Sequence, residues 1–147
     1  MLKRNSKGFT LIELLIVVAI IGIIAAIAIP NLLNAIDRGK QKRTMADIRS
    51  IGTAIESYAV DNNQYPVVAT AALLSAQVSP IYIKTMPTTD GWKGTFVVDS
   101  TATVYTVYSQ GKDQTGSTCT AGTTSTFNDE ICFSGGQFLR YPEGSQQ

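Results

Sequence analysis

The chain has 147 residues and a formal net charge of +1, which suits one domain or one small domain with an attached element, and its balance of charge points to no nucleic-acid partner. Histidine is absent, which removes the commonest general base and metal ligand. No nucleophile elbow, phosphate-binding glycine loop or metal-ligand spacing stands in its place, so enzymatic chemistry is not expected.

The first element is apolar. Phe9 to Leu33 spans 25 residues with one charge, Glu13. As a helix it would reach roughly 37 Å, enough for a hydrocarbon core of about 30 Å. An ordinary membrane anchor is one reading. A secretory signal peptide is another, because Ala26-Ile27-Ala28 resembles a signal-peptidase site. Against the second stand Lys3, Arg4 and Lys7 followed by Gly8-Phe9, a small-to-large junction ahead of the apolar run. The run also continues through Ile29, Leu32 and Leu33 into a second helical pattern.

The segment Lys7-Gly8-Phe9-Thr10-Leu11-Ile12-Glu13-Leu14-Leu15-Ile16-Val17, with Gly22, Ala25 and Pro30 beyond it, resembles the N-terminal motif of type IV pilins and type II secretion pseudopilins. The resemblance implies a leader, residues 1–8, that a prepilin peptidase removes between Gly8 and Phe9. It also implies N-methylation of Phe9 and polymerisation into a helical homo-oligomeric filament by pilus or secretion machinery.

A carboxylate within an apolar helix costs about 2.5–3.5 kcal/mol on insertion scales, so Glu13 needs a partner. The residues leave two partners open: the amine of its own chain after cleavage, favourable at a helix N-terminus, or the Phe9 amine of a neighbouring subunit. The resemblance implies the second, with Glu13 setting axial register. Pro30 removes a backbone hydrogen bond, so a kink or local melting is expected there.

Residues 34–62 continue the helix amphipathically. Met45, Ile48, Ile51, Ile55 and Tyr58 form one apolar stripe, and Asn62-Asn63 before Tyr65-Pro66 ends it. The basic cluster Arg38–Arg43 reads as a solvated face or an inter-subunit ion-pair set, ahead of a site for nucleic acid or lipid headgroups. By simple counting it would place the following domain in the cytoplasm. The late cysteine pair, the Ser/Thr-rich composition and the leader motif place it outside instead, on a single-pass inner-membrane protein.

Residues 63–147 form the head. Ala71–Ala76 reads as a short helical turn, Thr95–Val98 and Val104–Tyr108 as strands, and Ile131–Phe133 with Gln137–Tyr141 as a hairpin about Ser134-Gly135-Gly136. The expected class is α+β, a long N-terminal helix packed on a small antiparallel sheet. The Thr/Ser/Gly-rich stretch 115–126 reads as a surface loop. Cys119 and Cys132, the only cysteines, read as one disulfide in an oxidising compartment.

Tyr82-Ile83-Lys84-Thr85-Met86-Pro87 with Asp90-Gly91-Trp92, and Tyr105 to Gly111-Lys112-Asp113, are similar to segments of the major pseudopilin of type II secretion. In that family the following loop binds calcium, which makes Asp113, Asp129 and Glu130 candidate ligands here. The inserted Thr/Ser-rich stretch departs from the family spacing, and solvated loop carboxylates are the alternative. The first expectation is thus a filament subunit, of a pilus or of a secretion pseudopilus. The contrasting one is a singly anchored extracytoplasmic binding protein.

Overall fold

The computed structural model describes residues 8–142. Lys3, Arg4 and Lys7, expected in a leader, and residues 143–147 lie outside them. Two compact units divide after Ile36, so the second half of the long helix belongs with the head.

Helix α1 runs from Leu11 to Asn62 without interruption. Pro30 lies inside it, and of the kink or local melting expected there the melting is not seen. The proline takes one hydrogen bond from the ladder, and the adjoining turn stays closed with Asn31 Nδ2 donating to the Ile27 carbonyl at 3.1 Å. In the first unit nearly every apolar side chain of α1 is exposed. The helix ends as the asparagines foretell. Asn63 takes the left-handed conformation (φ 53°) that closes a helix C-terminus.

The head is built on the stripe. Ile48, Ile51 and Ile55 are fully buried, packed with Leu74, Val78, Phe96, Val98, Tyr105, Val107, Ile131 and Phe133. Met45 and Tyr58 flank this core, half-buried. Helix α2, Ala71–Val78, is two residues longer than its apolar pattern suggests. Thr70 caps it by accepting from the Leu73 amide at 3.3 Å.

Five strands follow: β1 Val97–Ser100, β2 Tyr105–Ser109, β3 Gly122–Thr124, β4 Ile131–Ser134 and β5 Gln137–Pro142. Their order in the sheet is β1-β2-β4-β5-β3. β1 begins two residues later than expected, because Thr95 pairs instead with Thr89 in an isolated bridge. The β4–β5 hairpin turns on Gly135 (φ 56°) and Gly136 (φ 80°), the positive pair that a two-residue turn requires. The expected antiparallel sheet needs one correction. β3 lies within the stretch read as loop and pairs parallel with β5. Three Gly/Thr residues carry no apolar alternation, so nothing local announces that strand.

Candidate assembly segment and head-docking cluster

Gly8 and Phe9 are exposed, and a side chain at Gly8 would meet nothing within 4 Å. The helix that follows opens on a reciprocal cap. Glu13 Oε2 accepts from the Thr10 amide at 2.8 Å and the Thr10 hydroxyl at 2.6 Å, while Thr10 Oγ1 accepts from the Glu13 amide at 3.3 Å. This is the Thr-x-x-Glu capping box, which satisfies helix-end donors from both sides. Within one chain, then, the Glu13 partner is Thr10. The sequence carried that signal in the spacing of Thr10 and Glu13. Glu13 remains exposed and is the only charged side chain between Phe9 and Ile36. Around it Leu11, Ile12, Leu14, Leu15 and Ile16 each leave more than half their surface uncovered. The stretch is long and apolar enough to cross a membrane.

The head unit begins with a buried carboxylate. Asp37 accepts from Trp92 Nε1 at 3.0 Å and from Lys112 Nζ at 2.8 Å, with Lys40 Nζ at 3.9 Å. Burial pushes its pKa up. The Lys112 and Trp92 bonds and the two ammonium charges outweigh that, and the net shift is downward. The loop carrying Trp92 is itself fixed at Asp90. That buried carboxylate accepts from the Trp92 and Gly94 amides and from the Ser109 hydroxyl at 2.9, 2.8 and 2.6 Å. Gly91 then lies against the helix backbone, donating its amide to Thr44 Oγ1 at 2.9 Å. A Cβ there would stand 2.5 Å from the Lys40 carbonyl oxygen. The Asp90-Gly91-Trp92 and Gly111-Lys112-Asp113 segments therefore converge on one side chain of α1. Asp37 and Asp90 had no recognisable role in the sequence, though the segments they hold did.

A second clamp lies further along α1. Glu56 accepts from Tyr105 OH at 2.9 Å and from Tyr65 OH at 3.3 Å. Burial and then the Glu56 bond push the Tyr105 phenol well above its usual range, so it stays protonated and donating. Glu56 ties the sheet and the loop after α1 to the helix.

Cys119 and Cys132 form the expected disulfide, with Cα atoms 5.9 Å apart. The candidate calcium ligands are arranged otherwise than their resemblance implies. Arg140 is shared between Asp129, at 3.1 Å, and Glu130. Asp129 also accepts from the Ser125 and Thr126 amides at 2.7 and 2.8 Å. Burial raises its pKa, but these amides and the guanidinium lower it by more, for a net downward shift. Asp113 is exposed and accepts from the Thr115 amide at 3.2 Å. No three acidic, histidine or cysteine side chains gather as a metal group among the described residues. Arg140 already neutralises two of the three candidate carboxylates, Asp129 and Glu130. Arg140 was not singled out in the sequence, and nothing local marks it.

The profile described as "Prokaryotic N-terminal methylation motif" matches residues 3–29, and that described as "Type II secretion system (T2SS), protein G" matches residues 31–126. The type II secretion system core protein G of Vibrio cholerae is 34% identical over 60% of this chain and 67% of its own. The Aeromonas hydrophila core protein G is 39% identical over 45% of this chain and 46% of its own. The type IV wide pilus major component PilA4 of Thermus thermophilus is 53% identical over 42% of this chain and 47% of its own. The first of these matches thus spans two thirds of its relative, and the other two span about half. No solved structure matches.

Proposed function

The chain belongs to the type II secretion system protein G family, and on that premise we propose that it is a structural subunit of a type IV pilus-like filament. The subunit is made with a basic leader, cut by a prepilin peptidase between Gly8 and Phe9, N-methylated on Phe9 and polymerised from the inner membrane with its head outside the cytoplasm.

One observation carries this reading. A helix of exposed apolar side chains bears a single carboxylate at its start, four residues from the proposed new amine. Such a surface is covered by lipid before assembly and by neighbouring helices afterwards. A lone carboxylate at the apolar helix's start then gives a neighbour's Phe9 amine one place to pair. The capping box adds a condition. Glu13 offers the free lone pairs of its carboxylate to that amine while Thr10 holds the other side.

The cap also supplies the test. Glu13→Gln keeps a capping-box side chain but removes the charge, whereas Glu13→Ala removes both. In cells with the assembly machinery, both variants should insert in the membrane, and both should lose most of the sheared filament. If Glu13→Gln assembles as wild type does, the charge sets no register and the carboxylate serves only its own helix.

Within this reading the head match favours a secretion pseudopilus over a surface pilus, because the protein G profile runs from the middle of α1 to the end of β3. Deleting the gene distinguishes them. Loss of exported proteins marks the pseudopilus, and loss of surface fibres with export intact marks the pilus.

A further inference from the structure

The apolar run of α1 ends at Ile36, and Asp37 follows at once. Arg38, Lys40, Lys42 and Arg43 come within the next two turns. Two loops bring further groups to the same level of the helix by binding Asp37: Trp92, with exposed Lys93 beside it, and Lys112. Some of these cations are neutralised. Lys40 and Lys112 share Asp37, and Arg43 faces Asp47 at 3.6 Å. Arg38, Lys42 and Lys93 are exposed and have no acidic partner among the described residues. Three unpaired cations and a half-exposed indole therefore follow directly on the point where the apolar segment stops.

We propose that Arg38, Lys42 and Lys93, with Trp92 among them, bind anionic phospholipid headgroups where α1 leaves the bilayer. The inference rests on the membrane-anchored reading above, and it applies to the subunit before it enters a filament. Arg38 and Lys42 lie about 3 and 9 Å beyond Ile36 along a helix, within one Debye length of about 10 Å. At that range a negative lipid surface attracts juxtamembrane lysine and arginine. Trp92, whose N–H is held by Asp37, has only the uncovered part of its ring to offer the same layer, where tryptophan is enriched. Asp37 has a part in this. By holding Trp92 and Lys112 it fixes the loop that presents Lys93, while its own charge is spent inside the cluster.

Trp92 is the only tryptophan, so its fluorescence reads the site directly. The full chain is reconstituted into phosphatidylcholine vesicles carrying a trace of nitroxide-headgroup lipid, either anionic or zwitterionic. Quenching by the anionic label should exceed that by the zwitterionic one about threefold at low salt. The excess should vanish in Arg38→Gln/Lys42→Gln/Lys93→Gln, and in the wild type at high salt, which needs no variant to fold. Equal quenching by the two labels at low salt overturns the proposal. So does a triple variant that quenches as wild type does but yields no sheared filament, since those cations then meet a neighbouring subunit. Protein that fails to float with the vesicles at all refutes the membrane anchoring itself.

Discussion

Gly52 of α1 faces Phe133 of β4 so closely that a Cβ on the glycine would fall on the phenyl ring. Both residues are buried, and Phe133 is wedged edge-on against Phe138 with centroids 5.0 Å apart. Helix propensity alone favours alanine over glycine by about 1 kcal/mol. Overpacking a core costs about 1–3 kcal/mol, so Gly52→Ala should lower head stability on balance. Gly39, in the same helix, has nothing within 4 Å of its own Cβ position. Gly39→Ala should therefore raise stability by up to about 1 kcal/mol. Urea unfolding of the two variants checks the opposite signs.

The acid limb of the stability profile should belong largely to Asp37 and Asp129. Both carboxyls have folded values below the ordinary one. Their contribution is therefore complete above the unfolded value, about 4, and is lost as pH falls through the folded values. Melting temperature should hold steady from neutrality to about pH 5 and fall below about 4. In Asp37→Asn/Asp129→Asn the neutral-pH stability should be lower and the acid fall shallower. An unchanged acid limb would show that the two carboxylates do not control it.

Arg140 should do for Asp129 and Glu130 what a bound cation would. Chelator and added calcium should leave the wild-type melting temperature unchanged. Arg140→Gln should cost about 3–5 kcal/mol, the penalty for stranding partly buried charge, reduced by whatever solvent reaches the site. A melting temperature that rises with calcium in the wild type would contradict this assignment.

The disulfide should carry measurable stability. Cys119 and Cys132 are 13 residues apart, and closing a loop of that size contributes about 2–4 kcal/mol. Cys119→Ser/Cys132→Ser should show that loss in equilibrium unfolding, and the bond also fixes β3 and its loop near β4. Free thiols in folded protein would refute the pairing.

These residues also show what sequence discloses and what it hides. The stripe of Ile48, Ile51 and Ile55 was legible because a helical period survives in any surroundings. Asn63 and Gly135-Gly136 were legible because few other residues take positive φ. Asp37 was not legible. Its partners lie 55 and 75 residues away in sequence, and a carboxylate beside basic residues reads as solvated until those loops arrive. Arg140 was hidden for the same reason, and with it the ion pairs of Asp129 and Glu130. The strand β3 has too few residues to show a period. At the N-terminus, the capping box was written in the sequence beside a more conspicuous feature, the isolated charge in an apolar helix.

The claim that this chain is a processed filament subunit is tested most directly by the mass of its N-terminal peptide in a sheared filament fraction. The expected peptide begins with N-methylated Phe9, with Gly8→Leu leaving uncut precursor in the membrane and none in the filament. A mature chain beginning at Ile29 would establish signal-peptide cleavage. An uncut chain confined to the membrane, with the assembly machinery present, would mark an anchored protein that builds no filament.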